Sequence, residues 1–348
     1  MKSKSYTVKT FHEASDQLFS DAYQFVKQNG RHLADDLRWN KLVEKTFKKK
    51  VRTTAIFDVQ GHLSGICHWY KSSAIIGRNT VIAGPYAGLG GMISLPEAEQ
   101  ALMNEMLSFS RQNKSALVVR TQIQNENAQH LVNDELTFFE KTIGMSDILN
   151  ELDKKVRYEV QRSLKRVHII LEIDKNINTK ELSDFFARAF QILGTPFFGE
   201  KYLSNLQDVY KNDVFFLRLR DQYSRLIGVA VLIKIFDTVH VLHANTNKTG
   251  QRMGAGYRLY YEILNFSQNL GVIRVNFGRS IKGSTQASFK RKWGMHEHSL
   301  AFVRTKDSPK IFYYKKKVIK HELFVWSWKH IPFWVVRLVG PLLSKLLF

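Results

Sequence analysis

The residues best able to do chemistry fall within 239–294. Gln251, Arg252, Gly254 and Gly256 form a Q-x-x-G-x-G sequence. An alternating run (Val239, Val241, His243) and a polar turn (245–250) precede it, and apolar residues at helical spacing follow, Tyr257, Tyr260, Tyr261 and Leu264. Glycines at the opening of a helix let main-chain N–H groups converge at the positive end of its dipole, where they seat a phosphate. The same glycines also suit a tight strand-to-helix turn. His243, ending the strand beside this loop, is placed to accept an amine proton directly or through water; the other reading is a half-buried structural histidine.

Two further groups carry less. Met295-His296-Glu297-His298 puts two histidines on one side of an extended run but offers no third ligand, so no metal is expected. Cys67 adjoins His68, yet adjacent strand residues face opposite ways, and a buried structural thiol is the simpler reading.

These residues need strands and helices to hold them. The spacing predicts helices over 14–28, 35–48, 180–193 and 200–211, and strands over 53–59, 63–71, 214–219 and 226–236. Strands starting at 53 and 63 are echoed at 214 and 226, and the helix from about 95 is echoed at 254. Two copies of one α/β unit follow, each a mixed, mostly antiparallel sheet flanked by helices. Between them, 149–167 reads as one strongly basic helix carrying Arg157 and Arg162, either a solvated linker or a surface for a phosphate-bearing ligand. The expected division is 1–147, a linker helix over 148–168, a second domain over 169–305 and a tail over 306–348.

The loop 251–256 resembles the acyl-CoA pyrophosphate loop of the GNAT acyltransferase superfamily. Phe277-Gly278-Arg279-Ser280, the Gly283-Ser284 turn and Phe289-Lys290-x-x-Trp293-Gly294 resemble the closing motif of FemAB-related proteins, tandem GNAT-type acyl or aminoacyltransferases of peptidoglycan and exopolysaccharide systems. Ile281-Lys282 and 286–288 depart from that pattern. The resemblance implies donor contacts at Gln251, Arg252, Gly254 and Gly256. It places Lys290 beside the acyl donor, where a fixed cation favours a developing oxyanion, and suggests Arg279 as a phosphate clamp. It associates the double-glycine element at 82–91, with Tyr86 and Gly90, with an acceptor cleft, and marks Thr195 of Gly194-Thr195-Pro196, Ser280, Arg157 and Arg162 as substrate contacts. In bare physical terms 82–91 is equally a turn with close backbone packing.

The chain has 348 residues, 44% of them hydrophobic, enough for two cores. Its 52 Lys+Arg against 31 Asp+Glu give a formal charge of +21, which speaks of anionic partners: nucleic acid, lipid headgroups or phosphorylated ligands. One cysteine suits a reducing compartment. No apolar segment follows the lysines of residues 1–9, so no signal peptide is expected and the expected location is cytoplasmic. The tail is aromatic, leucine-rich and studded with Lys329, Arg337 and Lys345; it either lies on the inner face of the membrane or packs on the protein's own core.

The resulting expectation is an enzyme that forms an amide on an amine of a cell-envelope or exopolysaccharide precursor, with acyl-CoA or aminoacyl-tRNA as donor. The absence of a heptad insertion favours acyl-CoA or another carrier. The rivals are a CoA-dependent sugar N-acetyltransferase and a non-catalytic, membrane-peripheral polyanion-binding protein.

Overall fold

The computed structural model describes residues 5–12, 16–72, 79–122, 131–166, 168–304 and 319–345. The basic aromatic run before 319, the last three residues and the start of the first expected helix lie outside them. In order the elements are β1 (Thr7–Phe11), α1 (Asp16–Asn29), α2 (Leu37–Phe47), β2 (Arg52–Phe57), β3 (Leu63–Ser72), β4 (Thr80–Ala83), β5 (Met92–Ser94), α3 (Glu99–Gln112), β6 (Ala116–Gln122) and β7 (Leu131–Thr142). Then come α4 (Ile148–Glu151), α5 (Lys154–Leu164), β8 (Ile170–Asp174), α6 (Thr179–Leu193), α7 (Glu200–Tyr210), β9 (Val214–Arg220), β10 (Leu226–Ile235) and β11 (Thr238–Thr246). The chain continues with α8 (Lys248–Arg252), α9 (Ala255–Asn269), β12 (Arg274–Ile281), α10 (Thr285–Arg291), β13 (His296–Arg304), α11 (Ile319–His330) and α12 (Phe333–Ser344).

Two compact units emerge among the described residues, 5–136 with 298–304, and 137–297 with 319–345. In the first, the strand order is β1-β2-β3-β4-β6-β13, with β5 pairing β3; in the second it is β8-β9-β10-β11-β12-β7. Each sheet is antiparallel at its leading end and then includes a parallel pair, β4 with β6 and β11 with β12. The order of elements thus repeats, as the duplicated sequence pattern predicts. The unit boundary departs from the expected 147/148 because the last strand of each lobe is exchanged. Residues 137–142 of β7 complete the second unit, and β13 from His298 onward pairs with β6 in the first.

The first core gathers Trp69, Val81, Leu102, Met106 and Leu117; the second gathers Leu217, Leu232, Val239, Leu259, Ile263 and Trp293. β10 is buried along nearly its whole length, so both its faces are covered and its sequence reads as a continuous apolar run instead of an alternation. The basic stretch expected as one helix is two. Asp147 caps α4 and Asp153 caps α5, each accepting the N–H two residues on, and Leu152 between them is extended. Val156 and Val160 then anchor α5 in the second core.

Candidate active site

The second unit carries an opening in its own sheet. β11 and β12 pair only from Thr238↔Arg274 to His240↔Asn276, although β11 runs on to Thr246 and β12 to Ile281. Beyond His240 the strands part, so main-chain groups on their facing sides no longer have each other as partners, and an extended ligand can hydrogen-bond there. On β11 the divergence coincides with a bulge, since Val231 faces His243 while Leu232 faces Val241. One extra residue there re-aims the strand.

The glycine loop sits at the end of β11. Asn247 caps α8 by accepting the Gly250 N–H at 2.8 Å, and its amide donates to the Leu226 carbonyl at 2.9 Å. Gly250 lies so close to β10 that a Cβ would come 2.3 Å from the Ile227 carbonyl oxygen. The chain breaks at Gly254, where φ is +73°, and α9 begins with no side-chain cap. The first N–H groups of a helix have no intrahelical acceptor. Gly256, in that first turn, has no heavy atom within 4 Å of where a Cβ would stand. Gln251 and Arg252 are exposed at the end of α8, and Arg166 reaches the Arg252 carbonyl at 3.5 Å. The geometry is an uncapped helix start edged by Arg252 and Arg166, suited to a polyanionic phosphate group.

The closing motif packs beside that loop. Gly283 (φ +73°) turns the chain, and Ser284 caps α10 by accepting the Ala287 N–H at 3.1 Å. Phe289 lies 5.4 Å from Tyr257 and 5.0 Å from Tyr260, and buried Trp293 lies 5.5 Å from Tyr260. The aromatic residues of the motif therefore fix α10 against the first turns of α9, on the same side of the unit as the glycine loop. Lys290 points the other way, into the protein. Its Nζ donates to the carbonyls of Phe277 (2.7 Å), Arg279 (3.1 Å) and Gly278 (3.4 Å) and stands 5.2 Å from the Phe139 ring centre. An ammonium has three hydrogens, and three carbonyls take them. Burial, aided by the Arg279 guanidinium, pushes its pKa down to about 7. Ser280 is buried on the diverging stretch of β12, and its hydroxyl makes no hydrogen bond among the described residues.

His243 stands in a box of rings. Phe186, Phe190, Phe197, Phe198 and Tyr202 surround it at 5.3 to 6.2 Å between centres. Desolvation there lowers its pKa to about 4, so it is neutral near pH 7, and its Nε2 has no hydrogen-bond partner among the described residues. Thr195 lies on the loop that supplies two of these rings, and its carbonyl accepts the Trp328 indole N–H at 3.0 Å. The tail packs on the protein's own core: α11 and α12 lay one face on α6 and this loop, burying Trp328 and Val336, and leave the other face exposed.

The remaining residues lie elsewhere. Arg157 donates to the carbonyls of Asn150 and Leu152, closing α4, while exposed Arg162 pairs loosely with Glu159 at 3.8 Å. In the first unit Tyr86 is buried, stacked on Phe47 at 3.8 Å, with φ +60°. A Cβ on Gly90 would come 2.6 Å from Asp35 and His32, and one on Gly84 would come 2.2 Å from the Gly90 carbonyl oxygen. Asp35 holds this loop by accepting the Gly91 N–H at 2.7 Å. Burial raises the Cys67 thiol pKa far above the thiolate range. No group of three His, Cys, Asp or Glu is arranged for a metal among the described residues.

Sequence reasoning missed the roles of Asn247 and Gly250, although Asn is among the preferred N-cap residues. It also missed the ring box, whose members come from two helices and a loop, and the role of Asp35.

No protein-family model and no curated protein matches the sequence. Solved structures do match the fold. FemX aligns at 13% identity over 85% of this chain and 97% of that chain, with a TM-score of 0.61. L-PGS from Bacillus licheniformis aligns at 11% over 92% and 96%, with a TM-score of 0.55. A tandem GNAT protein from the clavulanic acid biosynthesis pathway aligns at 10% over 88% and 100%, with a TM-score of 0.56. At these identities the likeness carries the fold: this chain is a tandem of two GNAT-like α/β units.

Proposed function

We propose that the chain is an acyltransferase that forms an amide on an amine-bearing acceptor, using an acyl-CoA thioester as donor. One observation carries the reading: the parting of β11 from β12 directly beside an uncapped, cation-edged helix start. The first offers an extended slot for a linear arm and the second a seat for its phosphates. The acyl carbonyl would lie at the β11 bulge, where main-chain N–H groups freed from the ladder are preorganised for the oxyanion. The amine nitrogen attacks the carbonyl carbon, the C–N bond forms, and collapse breaks the C–S bond. The proton lost by nitrogen passes through water to a base, for which His243 is proposed, and is then returned to the departing thiolate. Holding amine and thioester at attack distance supplies ~7 to 11 kcal/mol of the barrier, so no nucleophilic side chain is required.

In this reading Arg252, Gly254 and Gly256 hold the donor and Arg279 and Ser280 line the slot. Lys290 is a positioning residue, because its hydrogens are spent on the β12 carbonyls. The acceptor is proposed to be a cell-envelope or exopolysaccharide precursor, on the resemblance of the closing motif. Aminoacyl-tRNA is the second donor reading, favoured by exposed Arg162 and Lys165 on α5. Saturation binding of CoA against uncharged tRNA separates the two. The enzymatic reading requires thioester consumption with a polyamine or amino-sugar acceptor, and it is overturned if neither CoA nor tRNA binds saturably and no amine is acylated.

A further inference from the structure

Helices α11 and α12 present two unlike faces. Inward, Trp328 bonds Thr195, Gln191 donates to the Ile331 carbonyl at 2.8 Å, and Arg337 pairs with Asp184 at 2.9 Å. Val325 crowds Gly194 and Pro341 crowds Gly199, so both ends of the 194–199 loop are clamped. Outward, Leu323, Trp326, Trp334, Leu338 and Leu342 are each between 58% and 67% exposed, and Ile192 at the end of α6 is 60% exposed. Isolated exposed leucines need no explanation, but two tryptophans and three leucines on one helical pair do.

We infer that this outward face is a docking surface for an anionic lipid bilayer, and that docking steadies the 194–199 loop beside His243. The side chains choose the occupant. Indole rings prefer the boundary between headgroups and acyl chains, and Lys345 just past α12, one turn on from Leu342, supplies charge complementary to anionic lipid, as does the chain's formal +21. A second copy of this chain is the poorer occupant, since each carries a formal +21. The helices have 12 residues each, about 18 Å at the helical rise, against a hydrocarbon core of about 30 Å. They therefore lie on the surface. No helix among the described residues is long and apolar enough to cross a membrane.

The test uses the full chain and needs no activity, so it is independent of the transferase reading. Co-sedimentation with phosphatidylcholine vesicles is compared with vesicles that also contain phosphatidylglycerol. Binding is expected only to the latter, and the combined Trp326→Ser, Trp334→Ser, Leu338→Ser variant is expected to bind at least about tenfold more weakly with an unchanged melting midpoint. Removing the whole tail is a poorer test, because it would also uncover the inward face. Hydrogen exchange is expected to slow at the 194–199 amides of the wild-type protein when vesicles are added and to stay unchanged in the variant. Equal binding by the variant, or indifference to lipid charge, would overturn docking, as would a dimer in solution that the substitutions split. Unaltered exchange at 194–199 in bound protein would overturn the link to the loop.

Discussion

The Nζ of Lys290 lies 2.7 Å from the carbonyl oxygen of Phe277, which joins α10 to β12 just past the point where that strand has left β11. Gly278 and Arg279 offer their carbonyls to the same ammonium, so one side chain ties three consecutive residues of β12 to α10. That stretch of β12 is thus fixed in place by a side chain from the following helix.

Replacing that lysine should cost stability before it costs chemistry. Lys290→Ala strands three carbonyls and leaves a gap beside Phe139, and each lost partner of a buried polar group costs ~1 to 3 kcal/mol where relaxation is poor. With partial relaxation, urea unfolding should show a loss of roughly 2 to 4 kcal/mol. Lys290→Met keeps the stem and should recover the packing share only. A loss below about 0.5 kcal/mol, typical of a surface position, would contradict the positioning role.

Gly256 gives the opposite signature. It lies in the first turn of α9 with open space where a side chain would go. Gly256→Glu should hold or raise the melting midpoint, since glycine costs roughly 0.5 to 1 kcal/mol within a helix and a carboxylate suits its N-terminus. The same carboxylate would occupy the phosphate seat, so CoA affinity should fall at least about tenfold by equilibrium binding. Stable protein with unimpaired CoA binding would place the donor elsewhere.

The duplication was legible because strands and hairpins write their period locally: the pattern that marks 52–57 and 63–72 recurs at 214–220 and 226–235. The glycine loop was legible for the same reason. The break at Asp153 was hidden because Leu152 continues an apolar spacing that suits an unbroken helix. The exchange of β7 and β13 depends on pairing between residues far apart in sequence, which no local pattern encodes. Lys290 showed its type in sequence but not its direction. That direction is set by Phe289 and Trp293, which turn their own sides of α10 toward α9.

In the first unit the glycine loop depends on one carboxylate. Asp35 accepts N–H groups from Gly91 at 2.7 Å, His32 at 2.8 Å and Arg31 at 3.0 Å. Asp35→Ala should cost on the order of 3 kcal/mol, because buried donors lose a charged acceptor. The loss should appear as a lower urea midpoint with faster hydrogen exchange at Gly91. Slow exchange at Gly91 in the variant would show that backbone packing at Gly84 holds the loop unaided.

His243 supplies a pH signature. Burial takes its pKa from 6.5 to about 4, so on acidification the unfolded chain binds the proton first. The contribution is complete above about pH 6.5 and is lost as pH falls toward 4, on the order of 2 to 3 kcal/mol if the shift is fully expressed. His68 in the first unit, also lowered to about 4, titrates over the same range, so the wild-type curve alone does not assign the loss. His243→Phe does, because phenylalanine fills the ring box without a proton site. The variant should match or exceed the wild type in stability near neutral pH and should lose less between pH 6.5 and 4, by urea unfolding at each pH. Parallel curves would mean that the ring box does not lower the imidazole pKa.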